Sequence, residues 1–156
     1  DKIPRSSYWK PDAYTPHQSK LDQICIRAGG VKTLYFRTDP TRAKSLLYFR
    51  YSDKSYFFSV YYAKSGFPRG GGEKKNRGRF SPAVDAEWVE WLPEYEYAAL
   101  PTVDRTRVLL PGPDCDLFQF RFSNEGAWFL SQTLSFKVHF LDEHDRPVDS
   151  VQIKNK

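Results

Sequence analysis

The sequence predicts an all-β fold: a jelly-roll-like antiparallel β-sandwich of seven to nine strands, with a long basic loop. Three observations predict it. In residues 117–123, Phe118, Phe120 and Phe122 alternate with Gln119 and Arg121. In residues 134–141, Leu134, Phe136, Val138 and Phe140 alternate with Ser135, Lys137 and His139. Successive strand residues face opposite sides of a sheet, so each segment offers one apolar face to a core. Aromatic residues make up 17% of the chain, too many for a disordered segment and well suited to a pleated, half-buried surface. No heptad, internal repeat or long helical periodicity competes with this reading.

The 156 residues suit one domain with a real core. Residues 1–20 are polar, carry Pro4, Pro11 and Pro16, and read as an extended lead-in or linker; residues 21–156 read as the sandwich. Asp1 opens the chain and Met is absent, as expected of an excised domain or a processed product.

Along the chain, Gln23–Arg27 is a short strand and Gly29-Gly30 a turn. Val31–Arg37 alternates as a strand, and Pro40 bars its extension. Ser45–Tyr51 and Tyr56–Ala63 flank Ser52-Asp-Lys-Ser55, the signature of a hairpin with a four-residue connection. Residues 65–81 hold five glycines amid basic residues and read as a long loop. Ala83–Trp91, Glu94–Leu100 and Arg107–Leu110 are further short strands, and Val148–Lys154 is a last edge strand. The core is expected to include Phe58, Val60, Phe118, Phe120, Phe122, Leu134, Phe136 and Val138.

The order Phe122, Ser123, Asn124, Trp128, Ser131, Thr133, Leu134, Phe136, Val138 resembles the C-terminal half of GOLD (Golgi dynamics) domains. Ser123 stands where Asp is common in that family, and Gln132 where Lys is common. Tyr48, Phe49, Tyr51, Ser52, Asp53, Phe58, Ser59 and Val60 are similar to an earlier GOLD strand pair, although the family's common Asp-Ile pair is missing near Ser55 and Tyr56. Pro111-Gly-Pro-Asp114 sits where those domains carry a Pro/Gly turn. The resemblance covers roughly residues 21–142. Lumenal GOLD-bearing cargo receptors place a Cys where this chain has Arg121, so the resemblance favours the cytosolic type. Such domains occur beside CRAL-TRIO lipid-binding domains and in Golgi and autophagy adaptors. The resemblance therefore implies a non-catalytic protein-interaction module of a membrane-trafficking or lipid-handling adaptor. It would work in the cytoplasm, peripheral to Golgi, endosomal or autophagic membranes.

Charge distribution supplies the candidate sites. The chain carries a net charge of +5. Arg69, Lys74, Lys75, Arg77 and Arg79 cluster in the loop, opposed only by Glu73. Each such charge near an anionic lipid surface contributes about 1 kcal/mol, so this loop is the expected membrane or anionic-partner contact. Phe67 and Phe80 flank it. Asp85, Glu87, Glu90, Glu94 and Glu96 then follow without a base among them. Trp88, Glu90, Trp91, Tyr95 and Tyr97 form the expected protein-binding segment, since Tyr and Trp are favoured at interface hot spots. The alternative is that these rings alternate into the core.

Other chemistries find less support. His139 lies on a polar strand face and His144 in a turn, and no nucleophile motif such as G-x-S-x-G is present. Catalysis is therefore not expected. Gly70-Gly-Gly-Glu-Lys-Lys75 lacks phosphate-loop spacing. Asp142-Glu-His-Asp145 reads as a solvated turn rather than a metal site. No cofactor is implied. Nucleic acid is argued against by the acids that follow the basic loop and by the lack of a nucleic-acid-binding motif. No apolar run reaches the roughly 18 residues of a membrane span. Cys25 and Cys115 are expected to be free buried thiols, with a disulfide as the alternative. A carbohydrate-binding sandwich with exposed Trp88 and Trp91, and a small hydrolase using His139 or His144, are the alternative functions.

Overall fold

The computed structural model describes residues 16–64, 86–99, 101–125 and 130–153. Ten strands account for most of them: β1 (Asp22–Ile26), β2 (Val31–Thr38), β3 (Ser45–Ser52), β4 (Tyr56–Ala63), β5 (Val89–Tyr97), β6 (Asp104–Leu109), β7 (Leu117–Ser123), β8 (Gln132–Leu141), β9 (Pro147–Val148) and β10 (Ser150–Ile153). One antiparallel sheet runs β1-β8-β3-β6, with β9 also paired to β8. The other runs β10-β2-β7-β4-β5 and is likewise antiparallel. The chain changes sheet at most connections, as a jelly roll does.

The two sheets meet through the faces that the alternation marks. Phe118, Phe120 and Phe122 of β7, with Phe58 and Val60 of β4, face Leu134, Phe136 and Phe140 of β8. The facing rings interlock: the centroids of Phe122 and Phe136 lie 5.0 Å apart, and those of Phe118 and Phe140 lie 5.2 Å apart. Such pairs contribute about 0.5–1.5 kcal/mol beyond their area burial. All eight expected core residues belong to this layer, Val138 at its partly buried margin. A second, smaller cluster of Leu21, Leu47, Phe49 and Leu141 covers the outer face of β3. Strand β3 is thus buried on both faces, which explains its near-continuous apolar run.

Several expectations are corrected. Strands β3 and β4 do not form a hairpin. They lie in opposite sheets, and residues 53–55 arch across the sandwich between them. The reason is that both strands need an inward face on the same core: Tyr48 of β3 meets Phe58 of β4 across it, centroids 5.4 Å apart. A hairpin would set these faces side by side in one sheet. Gln132 holds the arch, donating from Nε2 to Ser52 Oγ at 2.8 Å and to the Lys54 carbonyl at 2.9 Å.

The strands expected at 83–91 and 94–100 are one strand, β5, whose Pro93 is tolerated at a sheet edge; residues 83–85 and 100 lie outside the described residues. The expected last strand is two short ones, because the chain leaves β8's sheet at Asp149 and joins the edge of the other as β10. The described residues thus hold ten strands, two of them the short β9 and β10. Both cysteines are free, yet only Cys115 is buried. Cys25 is exposed, since β1 turns Ile24 and Ile26 inward and Cys25 outward.

Asn124, one of the residues that carried the GOLD resemblance, is buried at the end of β7. Its Nδ2 donates to the carbonyls of Arg27 and Leu130 at 3.3 and 3.2 Å. It therefore ties the β1–β2 turn, where Gly29 adopts φ 72°, to the start of β8.

Candidate functional site

One end of the sandwich holds a charged group that the core should not tolerate alone. In β3 the inward row is Leu46, Tyr48, Arg50 and Ser52, as fixed by its pairing with Phe140, Val138, Phe136 and Leu134 of β8. Arg50 therefore points between the sheets and is only 6% exposed. Its cross-strand neighbour on edge strand β6 is Asp104, directly opposite in register. Arg50 Nη2 donates to the Asp104 carboxylate. Opposite charges paired this way on one sheet face attract, and burial makes the pairing mandatory.

Aromatic rings from the other sheet close the cage. The Arg50 guanidinium carbon lies 3.7 Å from the ring centroid of Tyr97, 5.2 Å from that of Phe58 and 5.4 Å from that of Tyr48. Tyr97 of β5 pairs with Tyr56 of β4 in register, and their rings stack 6.0 Å apart. Tyr95 stacks on Tyr97 at 4.5 Å and forms the outer layer, 59% exposed. A cavity of about 220 Å³ opens here between the sheets, lined by Arg50, Ser52, Tyr56, Tyr95, Tyr97 and Asp104 among others.

The electrostatics follow from burial against one cation. Burial pushes the Tyr48 hydroxyl up to about 12, with the Arg50 charge opposing. Burial likewise pushes Tyr56 and Tyr97 upward, again against Arg50. Burial alone would lower the pKa of Arg50, but Tyr56, Asp104 and Tyr48 together outweigh it and raise it. The guanidinium stays charged and the phenols stay neutral at any physiological pH. The cage therefore presents one fixed cation ringed by neutral phenol groups.

The structure separates the five expected protein-binding residues. Trp91 turns inward, its ring 5.9 Å from that of Phe118 and 6.4 Å from that of Tyr62. Trp88 packs against Tyr35, centroids 5.7 Å apart, on the outer side of the sheet. The two tryptophans thus share no exposed platform. Tyr97 serves the cage. Glu90 and Tyr95 remain exposed on β5, beside Glu94 and Glu96. The Ser55 hydroxyl donates to Glu96 at 2.9 Å, tying the arch to this strand. Arg69, Lys74, Lys75, Arg77 and Arg79 lie outside the described residues.

Sequence reasoning missed Arg50 and Asp104. A signal existed: within Leu46-x-Tyr48-x-Arg50, a charge occupies the inward phase of a strand. Such a residue is buried only with a partner.

The remaining candidates lie away from this cage. Asp142 Oδ1 accepts the backbone N–H groups of His144 and Arg146 at 2.8 and 2.9 Å. The Arg146 contact, then that of His144, holds this carboxylate below its ordinary range. Asp145 takes φ 63° in the same turn and pairs with Arg107. His139 packs edge-on to Phe49 at 6.1 Å, and burial lowers its pKa. Among the described residues, no helix is long and apolar enough to cross a membrane.

The model of the family described as "F28H7_8_C:-like, C-terminal domain" matches residues 7–149. That is most of the chain, and the chain belongs to this family, a C-terminal domain of CRAL-TRIO-related type. No curated protein matches the chain.

Proposed function

We propose that this domain, as a member of that family, is a non-catalytic protein-interaction module of a lipid-handling or membrane-trafficking protein, of GOLD type. Its setting is the cytoplasmic surface of Golgi, endosomal or autophagic membranes. Family membership supports the lipid-handling part. The observation that carries the interaction part is β5. This strand lies at a sheet edge among the described residues and presents exposed Glu90, Glu94, Tyr95 and Glu96. An edge strand offers unpaired main-chain groups to a partner's strand. An exposed Tyr resting on a rigid ring stack is a low-entropy anchor. The acids would select a basic or polar partner segment over an acidic one. Arg69, Lys74, Lys75, Arg77 and Arg79 would supply a weak, salt-sensitive contact with anionic lipid.

Affinity capture from cell lysate tests this reading, run with the native domain and two variants. One variant carries Glu90→Ser, Glu94→Ser and Tyr95→Ser. The other replaces the five basic loop residues by Ser. Membrane-trafficking proteins held by the native domain and released by the first variant support the β5 contact. Equal capture by both would overturn it. The second variant should lose binding to phosphatidylserine vesicles; undiminished binding would remove the loop from the account.

A further inference from the structure

We infer that the cavity at the Arg50 end of the sandwich is a receptor for a carboxylate group, with Arg50 as its anchor and Asp104 as an internal competitor for that anchor.

The donor inventory points to an acceptor. Arg50 Nη2 is engaged by Asp104, but Nε and Nη1 are buried with only the neutral phenols of Tyr56 and Tyr97 beside them and no second anion among the described residues. Buried charges are paired as a rule, and a guanidinium whose remaining donors meet only neutral phenols has room for a stronger, anionic acceptor. The cavity beside it adds the phenol groups of Tyr56, Tyr95 and Tyr97, each able to donate a hydrogen bond.

Size and charge narrow the chemistry. The cavity of about 220 Å³ is smaller than the roughly 300–1,000 Å³ of sites that enclose a drug-sized ligand. It admits one functional group, carried by a small acid or by a larger molecule outside. The Arg50 charge excludes ammonium groups. Desolvating a dianionic phosphate costs far more than desolvating a monoanionic carboxylate, and one guanidinium already offset by Asp104 has no second charge to balance it. The planar guanidinium matches a planar carboxylate edge to edge.

Asp104 is placed to yield. Its side chain is 30% exposed against 7% for Arg50, so it sits on the solvent side of the pair. A ligand carboxylate can take over donors of Arg50 while Asp104 returns to water. The inference stands apart from the adaptor reading, since a carboxylate site would remain if β5 captured no protein.

The test is an NMR titration of the isotope-labelled chain, following the side-chain Nε–H signal of Arg50. The titrants are sodium acetate, inorganic phosphate, and a short neutral peptide with a free or an amidated C-terminus, at constant ionic strength. Acetate should move the Arg50 signal saturably, and Asp104→Asn should tighten that binding by about tenfold through loss of the competing charge. Tyr95→Ala, at the exposed mouth, leaves the fold intact and should weaken it. Tighter binding of the free peptide than of acetate would make a chain terminus the source, and the reverse would make it a small acid; both sustain the carboxylate site. No saturable shift with either, a response to phosphate alone, or an Asp104→Asn variant with unchanged affinity would overturn the inference.

Discussion

The guanidinium of Arg50 lies 3.7 Å above the ring of Tyr97, so a cation from one sheet is held by an aromatic face from the other. This contact spans the sandwich at the end where Asp104 and the Tyr95–Tyr97 stack also meet. A desolvated cation–π contact contributes about 2 kcal/mol.

Removing either charge should therefore have unequal effects. Arg50→Gln leaves Asp104 partly exposed and able to rehydrate; it should destabilise by about 2–3 kcal/mol. Asp104→Ala strands a buried cation, and should cost about 3–5 kcal/mol. Asp104→Asn retains an acceptor and should fall well below that. Urea unfolding of the three variants gives the order; a loss under about 1 kcal/mol for Asp104→Ala would show that Arg50 does not depend on this partner.

Phe120 is fully buried at the centre of the core. Phe120→Ala should cost about 3–5 kcal/mol through lost burial and the cavity left behind. A change under about 1 kcal/mol in denaturant unfolding would contradict the inward phase of β7.

Gln132 bridges Ser52 and Lys54 across the arch. Gln132→Ala should destabilise by about 1–2 kcal/mol, because it removes two hydrogen bonds to the arch while Ser52 and Lys54 keep those they make to each other. Accelerated hydrogen exchange confined to residues 52–56 would place the loss at the arch. Exchange unchanged there would assign Gln132 no such role.

Alkaline pH should unfold the domain earlier than exposed tyrosines would. The Tyr48 hydroxyl is raised from 10.0 to about 12 in the folded state. The unfolded chain then loses this proton first as pH rises. Stability from this group is intact below pH 10.0 and is lost as pH climbs toward 12. The two-unit difference corresponds to about 3 kcal/mol, and the raised pKa values of Tyr56 and Tyr97 act in the same direction. Stability measured against pH, beside tyrosinate absorbance, checks it; flat stability through pH 12 would contradict the burial of these hydroxyls.

Much of the fold was legible because period-2 patterning reports which residues share a face. The core residues of β4, β7 and β8 follow directly from it. What patterning does not encode is which strand pairs with which. The segment 52–55 satisfies the requirements of a hairpin and of an inter-sheet arch equally well. What decides between them is the facing of Tyr48 and Phe58 across the main core, which alternation within either strand does not specify. The division of 83–100 failed for a related reason: Pro93 reads as a break, yet an edge strand needs no donor on its open side. The site was legible only in part. Composition drew notice to the aromatic and acidic residues of β5 but not to Arg50, whose partner Asp104 lies 54 positions away.

The most direct test of the central claim is site-specific photo-crosslinking in cells, with a photoreactive phenylalanine placed at Tyr95 on β5, at Leu109 on β6, or at Val151 on β10. The latter two are exposed on two other edge strands, at 77% and 64%. If β5 is the recognition edge, a discrete protein adduct forms from position 95 and not from 109 or 151. An adduct from position 109 or 151, with none from 95, would contradict the assignment.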